Sequence, residues 1–114
     1  MLGIEAARTI IAAALEAGKA AGMKPLSVVV LDAGGHVLAF ERSDGASPGR
    51  FDIARAKAHG AVMLGLGGRA QMARAEAQPY FMAALGGVFE GRILPVPGGV
   101  LVRDAVGAIA GAVG

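Results

Sequence analysis

Residues 27–60 read SVVVLDAGGHVLAFERSDGASPGRFDIARAKAHG, and this stretch decides the fold. Ser27 to Leu31 is an apolar, β-branched run, and Val37 to Glu41 is a second, shorter one. Between them, Asp32-Ala33-Gly34-Gly35-His36 holds two glycines that can take the positive φ of a tight return. The pair therefore predicts a β-hairpin. The first run shows no polar alternation, which predicts a central strand covered on both faces. Ser47-Pro48 then predicts a helix start, a capping hydroxyl followed by proline at the first helical position. Continued to about Leu64, that helix puts Ile53, Lys57, Gly60 and Leu64 on one stripe. Asp52, Arg55, His59 and Val62 fall on another.

Lys57 thus shares a face with core-type residues, where a lysine snorkels, meets a carboxylate or binds an anion. Gly60 beside it permits close approach of a strand or a flat ligand. His59, on the stripe with Asp52 and Arg55, is expected at the surface.

Working outward, Gly3 to Ala21 predicts an amphipathic helix, with Ile4, Ala7, Ile11, Ala14, Leu15 and Gly18 at three- and four-residue spacing. Gly22 ends it and Pro25 blocks its resumption. After Leu64, Gly65, Gly67 and Gly68 break the chain, and Ala70 to Gln78 has room for a further turn or two. Pro79 opens PYFMAAL, the densest cluster of large apolar residues. Tyr80, Phe81, Met82 and Leu85 there read as core, as subunit contact, or as the wall of an apolar ligand pocket. From Arg92 onward three strands are expected: Ile93 to Val96, Val100 to Val102, and Val106 to about Val113. The turn Pro97-Gly98-Gly99 offers backbone N–H groups without side-chain obstruction, which suits a carboxylate. Helix, hairpin, helices and then strands is an α+β order in one domain spanning residues 1–114.

The chain has 114 residues, 54% hydrophobic and 18% charged, so it is globular rather than disordered. Much of the apolar content is alanine, 19 residues are glycine, and aromatics reach only 4%. A core built from such small side chains gains from association, so a homo-oligomer is expected. The net charge of +2 comes from basic residues scattered singly, without the concentrated footprint that nucleic-acid binding needs. There is no cysteine, which excludes disulfides, thiolate-held clusters and thiol nucleophiles. No uncharged apolar run approaches the ~20 residues of a spanning helix. Without a basic leader at the N-terminus, a cytoplasmic protein is the expectation.

Few residues carry chemistry. Asp32 closes the first strand, where its carboxylate can accept backbone N–H bonds from the turn. Asp32 and Lys57 could act as an acid–base pair if they share a pocket. His36 and His59 are the only imidazoles and so the candidate metal ligands. Met63, Met72 and Met82 are possible thioether donors, although methionine more often fills gaps in a core.

The hairpin LDAGGHVLAFERSDGAS followed by IARAKAHGA, then ARAEAQPYFMAAL, then PVPGGVLVRD, resembles the GlcG/HbpS family of small haem-associated proteins in this order. That family is also similar to the C-terminal domain of one class of corrinoid adenosyltransferases. The resemblance covers nearly the whole chain. It implies a profilin-like architecture, a five-stranded antiparallel sheet with helices on its faces. It also implies a closing helix after the last strand, which this sequence, stopping at Gly114, lacks. An aromatic residue is common in the family at the position of His59, so the histidine is a departure.

The ligand implied is haem or a related tetrapyrrole, with a corrinoid as a second possibility. Lys57, Gly60, Tyr80, Phe81, Pro97, Gly98 and Gly99 are the candidate contacts. An enzyme of small organic acids or carbonyl compounds using Asp32 and Lys57, and an oligomeric assembly module, are the alternatives.

Overall fold

The hairpin expected around Asp32 is the centre of the structure. A computed structural model describes residues 1–114. In chain order the elements are α1 (Ile4–Ala20), β1 (Ser27–Asp32), β2 (Val37–Arg42), α2 (Arg50–Leu64), α3 (Gly68–Ala77), α4 (Pro79–Val88), β3 (Val100–Arg103) and β4 (Ile109–Val113). The strands form one antiparallel sheet in the order β2-β1-β4-β3. β1 is interior, and Val28 to Leu31 are all buried. Its side chains alternate between two layers. Val28 and Val30 pack with Ala7 and Ile11 of α1, while Val29 and Leu31 pack with Ala54, Ala58 and Ala61 of α2. Each buried Val or Leu contributes about 1.5–3 kcal/mol, so this strand anchors both helices. The unbroken apolar run of β1 is explained by its two coverings.

The α+β order holds, but the sheet has four strands and not five. Ile93 to Val96 does not extend, because Pro95 and Pro97 withhold ladder N–H groups and the Val96 N–H turns back to the Leu94 carbonyl at 2.9 Å. The last strand begins at Ile109 rather than Val106. Asp104 Oδ1 accepts from the Val106 and Ala108 N–H groups at 3.0 Å each, and Gly107 sits at φ +86°. Those contacts make residues 104–108 a turn.

The start of α2 also differs from the expectation. Ser47 caps nothing with its hydroxyl; its carbonyl accepts from the Arg50 N–H at 3.2 Å, and Gly49 is the residue before the helix. Pro79 does open a helix, the ten-residue α4, which packs on α3. No helix is long and apolar enough to cross a membrane.

Candidate functional site

Lys57 lies on α2, half-buried, where the Pro97-Gly98-Gly99 turn crosses the helix. Gly99 is forced by that crossing: a Cβ there would stand 2.5 Å from the Lys57 carbonyl oxygen. The Gly99 carbonyl in turn accepts from the Gly68 N–H at 2.8 Å, pinning the turn to the start of α3. Gly98 has φ +121°, and the Lys57 Nζ lies 3.1 Å from the place a Cβ would occupy. The ammonium group therefore rests over bare backbone.

Beside it opens a cleft of about 430 Å³, bounded by the α1–β1 loop, the start of β1 and the first turns of α2. This volume falls in the range of small-ligand sites. Met23, Leu26 and Ile53 supply apolar wall, and Lys24, Arg50 and Lys57 supply positive charge. None of the three cations is in an ion pair. Ser27 Oγ, on the same lining, is buried without a hydrogen-bond partner.

Asp32 is elsewhere. Its Oδ1 accepts from the Gly34 and His36 N–H groups at 2.9 Å each. The His36 N–H bond is the chief reason its carboxyl is held below the usual value, with further help from Gly34 and the His36 ring. Asp32 lines a second cavity, of about 500 Å³, together with Leu2, Leu38, Asp104 and Ile109. Lys57 and Asp32 thus face separate cavities at opposite ends of β1, and the fold does not bring the acid–base pair together.

The two histidines differ sharply. His36 is exposed at the hairpin turn, with Nδ1 3.4 Å from Asp32 Oδ1. His59, expected at the surface, is instead 8% exposed. The segment after α4 folds back over its stripe, so Nδ1 bonds the Arg92 carbonyl at 2.8 Å and the ring meets Phe89 edge-on at 5.8 Å. A carbonyl partner makes Nδ1 the donor. The imidazole edge carrying Cδ2 and Nε2 is covered by Gly35 of the hairpin turn. Neither histidine belongs to a group of three or more metal-ligating side chains.

Gly60 also departs from the ligand-facing role. A Cβ there would stand 2.9 Å from Gln71 Oε1 and 3.0 Å from Ile93 Cγ1. Its bareness admits α3 and the 93–96 segment. Gln71 is fully buried; its Nε2 donates to the Leu66 carbonyl at 2.8 Å, while Oε1 has no partner. On α4, Met82 and Leu85 are buried and Tyr80 is 76% exposed. Phe81 carries the Arg74 guanidinium over its ring at 4.5 Å. Tyr80 and Phe81 do not line the cleft at Lys57.

Of the candidate contacts, then, Lys57, Pro97, Gly98 and Gly99 assemble, while Gly60, Tyr80, Phe81, Asp32, His36 and His59 lie away from them. Sequence reading missed Met23, Lys24, Ser27 and Arg50. Met23, Lys24 and Ser27 share no period with α2, and only Pro25, which turns the chain from α1 into β1, hinted that this loop is shaped. Arg50 extends the stripe of Ile53 and Lys57 by one turn, and that spacing was the signal for it.

Comparison with known proteins places the chain. Residues 2–114 match the model of a family described as HbpS-like, haem degrading protein HbpS-like. A double mutant of Streptomyces reticuli HbpS is 32% identical, covering 99% of this chain and 72% of that one, with a TM-score of 0.84. The Klebsiella pneumoniae protein ORFY is 29% identical over 99% of this chain and 76% of its own, with a TM-score of 0.82. A complex of PduOC with haem shares the fold at 22% identity, over 94% of this chain and 75% of that one, with a TM-score of 0.81. No curated protein matches the chain.

Proposed function

The chain belongs to the HbpS-like family, and on that premise we propose that it is a haem-binding protein serving haem handling. One observation carries the reading: the Lys57 ammonium rests over Gly98 at the edge of an apolar-walled cleft. Haem is a flat apolar macrocycle with two ionised propionates. It needs apolar wall for the ring and cations with open backbone for the carboxylates, and the cleft offers both. PduOC, a protein of the same fold, is held in a complex with haem.

In this reading Lys57 and the Gly98-Gly99 backbone hold a propionate, and Met23, Leu26 and Ile53 cover the ring edge. Bound haem would supply an iron centre capable of redox and oxygen chemistry. Among the lining residues Met23 offers the iron a thioether donor. His36 offers an exposed imidazole at the other end of β1. The small-acid enzyme reading needs Asp32 beside Lys57, and nothing in the geometry supports that.

Titrating the protein with haemin tests the proposal. A saturable Soret shift is expected, weakened by Lys57→Ala, with the band shape altered by Met23→Leu or His36→Ala according to the donor. A featureless, non-saturating rise would overturn it.

A further inference from the structure

The cleft at Lys57 carries more positive charge than one carboxylate requires. Arg50, Ile53 and Lys57 lie on one stripe of α2, at spacings of three and four residues. At 1.5 Å of rise per residue the two cations are based about 10 Å apart along the helix, with an apolar side chain between them. Lys24 faces them from the α1–β1 loop. None of the three is in an ion pair, no lining side chain is a carboxylate, and the main chain of Gly114, also on the lining, pairs with Val29. Like charges gathered in one concavity repel each other and concentrate counter-ions. A ligand that relieves this arrangement has two anionic ends and an apolar middle.

We propose that the cleft recognises a dicarboxylate with an apolar spacer, the carboxylates taken by Lys57 and by Arg50 with Lys24, and the spacer lying over Ile53. The assignment of one carboxylate to Lys57 rests on the haem reading above; the second station and the requirement for two charges do not. Two ligands share this chemistry, the propionate edge of haem and a free aliphatic dicarboxylic acid.

Two matched pairs separate the sources. Haemin is compared with haemin dimethyl ester by Soret titration. Adipate is compared with hexanoate by calorimetry at low salt. Both pairs are run on the wild type and on Lys24→Glu and Arg50→Glu, whose side chains are exposed and whose folding is checked by circular dichroism. In at least one pair the diacid is expected to bind about tenfold or more tightly than its partner, and each substitution is expected to abolish that preference.

Equal affinities within both pairs, or no binding in either, would overturn the proposal, as would a preference that survives both substitutions. The two readings fail separately. A charge-dependent adipate preference without a Soret band removes haem and keeps the dicarboxylate site. A saturable Soret band that esterification weakens but neither variant affects, with adipate and hexanoate binding alike, does the reverse.

Discussion

Asp32 is a residue whose role was legible, because the groups its carboxylate binds are within four positions. Its turn could be read from aspartate followed by two glycines, and the two backbone N–H bonds to Oδ1 are what that pattern implies. Those bonds favour the ionised form, so the carboxyl titrates below 3.8 in the folded protein. The sign follows: the stabilisation is complete above the unfolded value and is lost as pH falls through the lower, folded one. Asp32→Ala is therefore expected to cost about 1 kcal/mol at neutral pH. Urea denaturation should show the difference from wild type shrinking as pH falls below the ordinary carboxylate range, and a gap independent of pH would contradict this. His59 was not legible for the opposite reason. Its partner, the Arg92 carbonyl, lies 33 residues further on, and no helical period marks a stripe that a returning segment will cover. Lys57 falls between: its stripe betrayed a buried-face lysine, but not the glycine turn that lies across it.

Elements were readable where a single segment decides them. β1 is apolar from Val28 to Leu31 because α1 and α2 cover its two faces, and this much followed from the run itself. The would-be strand at 93–96 was overread, since Pro95 within it and Pro97 after it outweigh the β-branched residues around them. The joint between α2 and α3 lay beyond reach, because it depends on Gly60 meeting Gln71, a contact between two helices. Gly60→Ala should force apart α2, the Gln71 amide and Ile93, at a cost of about 1–3 kcal/mol. Thermal melting would register that as a lowered midpoint, and an unchanged midpoint would mean the joint is looser than its contacts indicate. The same glycine was read from sequence as an opening for a strand or a flat ligand, and in the fold α3 and the segment at Ile93 fill that opening.

At the scale of the molecule, only 20 of the 114 residues are buried, and six of the thirteen buried apolar ones are alanine. Such a core stabilises a single copy weakly, while Val88, Val100 and Val106 remain exposed on its surface. We expect light scattering at tens of micromolar to give a multiple of 11.3 kDa, and a monomeric mass would contradict that. The cleft is likewise a property of the whole. The α1–β1 loop, β1, α2 and the Pro97 turn each contribute to it, so its charges could be counted from the sequence but not gathered. The proposed occupant of this cleft is haem, held by its carboxylate edge at Lys57. The most direct test is a haemin titration of wild type beside Lys57→Ala, followed through the Soret band. A saturable shift is expected in the wild type, with about tenfold weaker binding in the variant. A saturable band of equal affinity in both would contradict the site, and an absent band would contradict the function.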